Sequence, residues 1–312
     1  MGFGVVCAVA LAVGGIAAIT ASVAAPALSS TGGLLAGTEA STGDKEPQDP
    51  VPLPQAVTAL PAPTIEAAPA IVDICAIPEF VAAMAAVDDS AAIAAAGGAE
   101  AFRLAVASGA APCVSLSDPL HVWVVVNKAR PYSLAEYQPS PTAAPAGMRN
   151  LSSTYIRADA AAALTEMTGA AAAAGAGEIA LSSGFRSYAA QRSVYRNRVA
   201  SHGTVEADLV SARPGHSEHQ SGLAADVSAC AGGCAGHEVF GGTPQQAWVA
   251  EHSWEFGWIV RYMDGETAVT GYAPEPWHLR YIGPELAADY HAGGWRSLEA
   301  FMGLPAAPDY LD

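Results

Sequence analysis

One stretch dictates most of what this chain can become: Arg213-Pro214-Gly215-His216-Ser217-Glu218-His219-Gln220-Ser221-Gly222-Leu223-Ala224-Ala225-Asp226. It carries two strong metal ligands, His219 and Asp226, among small and polar residues. Downstream, Glu275-Pro276-Trp277-His278 answers it with another imidazole and a further carboxylate. Two imidazoles and one carboxylate, with a fourth position left for water, make up a catalytic zinc site; a structural site is closed by four ligands, usually including cysteines. Glu275, three residues before His278, is not needed as a ligand, and its natural role is general base, then general acid. Pro214-Gly215 breaks the chain ahead of the motif, and Gly222 permits a tight backbone path between the ligands. Residues 223–227 have the apolar character of a strand entering a core, with Asp226 inside it.

The charge balance narrows the function classes. With 30 acidic against 14 basic residues, the formal net charge is -16. A nucleic-acid binder shows a basic face, so none is expected as a partner. Electrostatic attraction to an anionic membrane or wall polymer is disfavoured for the same reason. The 51% hydrophobic content is inflated by alanine and does not indicate a membrane protein.

The N-terminus is different. Residues 3–28 contain no charged side chain, enough for a signal peptide or for a single N-terminal membrane anchor. Ser22-Val23-Ala24 before Ala25 has the small residues of a cleavage site, although the usual cationic start is missing. Residues 29–70 form a Pro/Ala-rich linker without aromatics. The chain is therefore expected to be extracytoplasmic, either secreted or anchored. In that compartment Cys75, Cys113, Cys230 and Cys234 are expected to form two disulfides. Three connectivities are open; proximity alone selects Cys75 with Cys113 and Cys230 with Cys234.

Residues 71–117 read as a small helical region, a hairpin broken at Gly97-Gly98 that either binds wall or packs on the catalytic domain, with packing favoured for an apolar helix stripe. A catalytic domain spans residues 118–312. Its expected strands are 121–127, 178–183, 223–227, 258–263 and 278–282. A long proline-marked loop comes after the first, and residues 155–176 read as helix. Ser187 caps a helix running to residue 200. Thr243 caps another with Pro244 at its first position, running to Phe256. The fold class is α+β: a small antiparallel sheet flanked by helices, the zinc site at the sheet, preceded by the helical region.

Several ordered motifs carry a family likeness. Ser217-x-His219-x-x-Gly222-x-Ala224-x-Asp226, then Glu275-Pro276-Trp277-His278, resembles the signature of the VanY-like D-alanyl-D-alanine carboxypeptidases. Ser183-Gly184-Phe185-Arg186-Ser187-Tyr188-x-x-Gln191 matches upstream, as does Phe256-Gly257-Trp258-Ile259-Val260-Arg261-Tyr262 between the two metal stretches. Asn127-Lys128-x-Arg130-Pro131, with Tyr137 and Pro139, is similar to the family's entry segment. The resemblance runs from Asp118 to Gly283 and implies Zn2+ as cofactor on His219, Asp226 and His278. It implies peptidoglycan stem peptides as substrate, cut at the terminal D-Ala-D-Ala bond. A guanidinium at Arg186 suits a developing oxyanion or a substrate carboxylate, and the resemblance implies the oxyanion. Ser217 and Gln191 match positions that touch substrate. The alternatives are an L,D-carboxypeptidase or crosslink endopeptidase of the same family, and an inactive wall-binding module. Arg213 reads as a structural ion-pair partner, and His121, His202, His216, His237, His252 and His291 as surface or core histidines. The loop at 230–238 departs from the family pattern at the rim of the site.

Overall fold

Three short helices open the described chain, residues 72–311 of a computed structural model. The expected leader at 1–28 and linker at 29–70 lie outside the described residues. Helix α1 (Pro78–Ala86) begins with proline in its first turn and ends at Val87, which takes a left-handed conformation. Asp88 then caps α2 (Asp89–Ala95) by accepting from the Ala91 amide. Gly97 and Gly98, at φ 96° and 102°, separate α2 from α3 (Ala99–Ala107). The expected hairpin is therefore three helices; the additional break comes from the Asp88 cap, which competes with helix continuation. Cys75 is bonded to Cys113 across this region. Phe80 and Phe102 are fully buried, and the Phe102 ring lies 4.8 Å from that of Trp123. The helices thus share a core with the chain beyond Cys113, as the packing expectation required.

Residues 121–127 do not form the expected strand. Val122, Val124, Val125 and Val126 are buried, so the apolar run is real. The carbonyls of Val122 and Val124 accept from the Arg280 guanidinium at 3.1 and 2.6 Å. A buried cation here takes the place of a strand partner.

A two-stranded ribbon, β1 (Thr142–Ala143) with β2 (Ile156–Arg157), leads into α4 (Ala158–Ala173). The helix starts later than expected because residues 156 and 157 are paired in that ribbon. Ala160, Leu164, Met167 and Ala171 form its buried stripe. Strand β3 (Glu178–Ser183) has the expected bounds and feeds α5 (Tyr188–His202), capped by Ser187 accepting from the Ala190 amide. Helix α6 (Thr204–Val210) begins after Gly203. Strand β4 (Ala224–Ala231) turns through β5 (Gly233–Cys234), where Cys230 is bonded to Cys234. Then come α7 (Pro244–His252), capped by Thr243 and continued as a 3-10 turn to Phe256, and β6 (Trp258–Tyr262). The short α8 (Thr267–Thr270), β7 (Glu275–Tyr281), α9 (Pro284–Ala292) and α10 (Leu298–Phe301) complete the chain. Strand β7 begins three residues earlier than expected, so Glu275 belongs to the sheet.

The sheet order is β3-β4-β7-β6, antiparallel throughout, with β5 on β4. Leu181, Val227 and Leu279 are fully buried within it. Each such side chain contributes about 1.5–3 kcal/mol relative to exposure. The class is α+β, with a small antiparallel sheet flanked by helices.

Candidate metal centre and its cleft

The pairing of β4 with β7 sets Asp226 opposite His278. Directly opposed residues project from the same face of a sheet, so the two side chains meet. His219 arrives from a 3-10 turn, Glu218–Ser221, that ends at Gly222 with φ 73°. A side chain at Gly222 is excluded twice: by that left-handed backbone, and by Pro139 Cγ and the Arg157 amide, 2.8 and 2.9 Å from where a Cβ would sit. Gly222 therefore turns the chain from one ligand into the strand that carries the next.

His219, Asp226 and His278 are all buried, and one donor atom from each lies within 4.8 Å of the others. His219 Nε2 is 3.2 Å from Asp226 Oδ2, and His278 Nδ1 is 3.2 Å from Asp226 Oδ1. Asp226 Oδ1 is nevertheless buried without a directed hydrogen bond. Donor atoms about 2.0–2.2 Å from one ion and arranged tetrahedrally stand roughly 3.4 Å apart, so these spacings fit a shared cation. Two imidazoles and a carboxylate with a position left open suit catalytic zinc.

Each ring is oriented from behind. His219 Nδ1 donates to the Gly184 carbonyl at 2.7 Å, leaving Nε2 free for a metal. A side chain at Gly184 would press against the Tyr155 carbonyl at 2.8 Å, which keeps that approach open only for glycine. His278 Nε2 faces Glu218 Oε2 at 3.2 Å, leaving Nδ1 toward Asp226. Burial depresses His219, favouring the neutral ring that a metal requires. Burial opposes the charge on Asp226, yet the two histidines beside it hold its carboxyl well below the usual range.

Glu218 belongs to a buried ionic cluster. Its Oε1 accepts from Arg261 Nε at 2.8 Å and Arg280 Nη1 at 3.0 Å. Arg261 also donates through both terminal nitrogens to Glu299, at 2.7 and 3.0 Å, and Asn127 Nδ2 donates to Glu299 at 3.0 Å. Glu218, Arg261, Arg280 and Glu299 are essentially without solvent exposure. Two cations and two anions with saturated hydrogen bonds make such burial tolerable. Sequence reading passed over Glu218, Arg280 and Glu299. The available signal was a carboxylate adjacent to a ligand, inside the motif itself.

A cleft of about 460 Å³ opens over the metal-binding face. Glu275 and Arg186 both line it. Glu275 Oε2 is 3.6 Å from His278 Nδ1. Burial pushes the Glu275 carboxyl up to about 7, opposed by His278 and Arg186 and assisted by the charges of Asp226 and Glu218. Arg186 donates to Gln191 Oε1 at 2.8 Å and Ser183 Oγ at 3.0 Å, and its backbone amide donates to the His219 carbonyl. Ser217 lines the cleft. Gln191 does not: it is fully buried, and its amide nitrogen donates to the Ala212 carbonyl at 2.6 Å. Its amide bridges Arg186 and the Ala212 carbonyl, because it sits in the first turn of α5, the one place where that helix has a buried side chain.

The expected structural roles divide. Arg213 pairs with Asp208 at 2.9 Å. His121 pairs with Asp89, His216 bonds the Asn127 carbonyl, His252 pairs with Glu255, and His291 stacks on Trp254. His202 and His237 instead line the cleft, where the His237 ring lies 5.4 Å from that of Trp277. Tyr262 joins them, its ring 4.9 Å from that of His278.

Comparison with known proteins agrees with the geometry. Residues 153–284 match the family model described as VanY, D-alanyl-D-alanine carboxypeptidase. YodJ of Bacillus subtilis (strain 168), which bears a carboxypeptidase name, is 38% identical over 178 residues, covering 55% of this chain and 64% of that protein. A D-alanyl-D-alanine carboxypeptidase of Enterococcus faecalis is 37% identical over 123 residues, covering 36% of this chain and 44% of its own length. The chain therefore spans less than two thirds of these curated relatives. The solved structure of the LD-carboxypeptidase LdcB is 36% identical, with a TM-score of 0.55, covering 59% of this chain and 86% of that one. The matched segment contains His219, Asp226, Glu275 and His278 in their motif order, and the chain belongs to the VanY family of carboxypeptidases.

Proposed function

We propose that the chain is a zinc-dependent carboxypeptidase that releases a terminal D-alanine from peptidoglycan stem peptides outside the cytoplasm. The carrying observation is a half-buried carboxylate, Glu275, 3.6 Å from His278 Nδ1 and sharing the cleft with Arg186. His219, Asp226 and His278 hold the ion. Bound zinc supplies Lewis acidity, polarising the scissile carbonyl and making water more acidic. Glu275 takes a proton from the attacking water and returns it to the departing amine. In the metal-free protein, burial raises the Glu275 carboxyl above its ordinary value, which suits a group that first accepts and then donates a proton. Arg186, fixed by Gln191 and Ser183, hydrogen-bonds the negative charge that develops on the carbonyl oxygen. Ser217 contacts the substrate at the floor of the cleft.

The leading cut is at the D-Ala-D-Ala bond of pentapeptide stems, as the names of the family model and the enterococcal relative indicate. The likeness to the LD-carboxypeptidase LdcB favours a second cut, removal of D-alanine from tetrapeptide stems. Mass spectrometry of defined pentapeptide, tetrapeptide and crosslinked stems, with and without a chelator, tests both. Chelator-sensitive release of D-alanine is expected. No release from any stem by zinc-loaded protein would favour a wall-binding module instead.

A further inference from the structure

The cleft extends well beyond the reacting centre, along one face of α5. Gln191, Val194, Arg198 and His202 succeed one another at spacings of three, four and four, which is a single helical stripe. Its inner end is Gln191, which holds Arg186. Val194, Arg198 and His202 then line the cleft, with Glu206 of α6 beyond the Gly203 break. Both Arg198 and Glu206 are exposed. Neither has a hydrogen bond or ion pair among the described residues. Arg103, Arg157 and Arg296 are by contrast each held by a carboxylate. A free cation and a free anion thus stand on one wall of a substrate-sized groove, leading away from the reacting centre.

Helix geometry sets what can reach them. Seven residues separate Gln191 from Arg198, about 10 Å along the axis at 1.5 Å per residue. An extended peptide advances about 3.3 Å per residue. A residue one or two positions ahead of the scissile bond, bearing a long side chain, has the reach to span a distance of that size within the cleft that Arg198 and Glu206 line. In stem peptides the residue ahead of the D-alanines is a diamino acid. Its side chain ends either in an ammonium alone or in an ammonium with a carboxylate.

Resting on the reading of this cleft as a stem-peptide site, we infer that Arg198 and Glu206 select stems whose diamino acid carries both groups. Arg198 takes the side-chain carboxylate as a charge-assisted, two-pronged hydrogen bond. Glu206 takes the ammonium. Exposed pairs are individually weak, so the discrimination is modest, on the order of tenfold.

The test compares kcat/KM for two stems of equal length that differ only in that side-chain carboxylate. Wild type should favour the carboxylate-bearing stem by about tenfold. Arg198→Gln should reduce the ratio to within twofold, chiefly by slowing the carboxylate-bearing stem. Glu206→Gln should slow both stems alike, since both present an ammonium. Equal rates in wild type, or a preference that survives Arg198→Gln, overturns the inference. The same pair is also titrated calorimetrically against Glu275→Ala, with and without Arg198→Gln. Stems that bind with this preference yet are never cleaved by wild type contradict the carboxypeptidase reading and leave the selectivity standing. Failure of both stems to bind overturns the selectivity itself.

Discussion

His278 Nε2 stands 3.2 Å from Glu218 Oε2, so the ring is gripped by a carboxylate on the side away from Asp226. Glu218 in turn is fixed by Arg261 and Arg280, which leaves it little freedom to follow the ring. The orientation of His278 is therefore set by the core of the molecule, not by the metal. Partners behind metal-binding histidines typically contribute ten- to a hundredfold in metal affinity.

Glu218→Gln should accordingly weaken zinc binding by roughly ten- to a hundredfold while retaining the fold. A competition titration against a chromogenic chelator measures this. Unchanged affinity would mean that the carboxylate does not tune His278.

Acid should destabilise the metal-free protein through the same residue. Burial raises the carboxyl of Glu218, but Arg261 and Arg280 outweigh it and hold it far below the ordinary value of 4.5. A carboxylate depressed in the folded state contributes stability that is fully present above the unfolded value and is lost as pH falls through the folded one. Urea midpoints should therefore drop as pH is lowered from about 4.5, and drop less steeply in Glu218→Gln. Parallel pH profiles for the two proteins would contradict this.

Glu299 offers a separate check on the buried cluster. It accepts from both terminal nitrogens of Arg261 and from Asn127. Glu299→Ala leaves a buried guanidinium half-paired, which should cost about 3–5 kcal/mol in a denaturant titration. A loss of less than about 1 kcal/mol would show that the cluster relaxes or admits water.

The two disulfides should differ in weight. Cys75–Cys113 closes a 38-residue separation and Cys230–Cys234 a separation of four. Loop-closure entropy assigns the first about 4 kcal/mol and the second about 2 kcal/mol. Paired serine replacements should lower the unfolding midpoint in that order, and the reverse order would show that chain entropy does not govern these bonds.

Legibility in the sequence tracks the range of each interaction. The strand at 178–183, the Ser187 and Thr243 caps and the turn at Gly222 depend on near neighbours, and all lie where expected. The triad of His219, Asp226 and His278 was legible because its spacing is held within two short motifs. The run at 121–127 misled because a β-branched apolar segment looks like a strand, whether its carbonyls meet another strand or a distant arginine. The partners of Glu218 lie 43 and 62 residues away, and no local pattern announces them. Gln191 was legible as part of a motif but not as a buried support for Arg186, since that distinction depends on how the first turn of α5 packs against residues 211 and 212, about twenty positions away.

The most direct measurement of the central claim is D-alanine release from a pentapeptide and a tetrapeptide stem by wild type and Glu275→Ala, with zinc content determined on the same samples. Glu275 is assigned to moving protons without binding the ion. The variant should therefore keep one zinc per chain and lose about a hundred- to ten-thousandfold in kcat, with a smaller change in KM. Undiminished turnover in zinc-loaded Glu275→Ala would contradict the account.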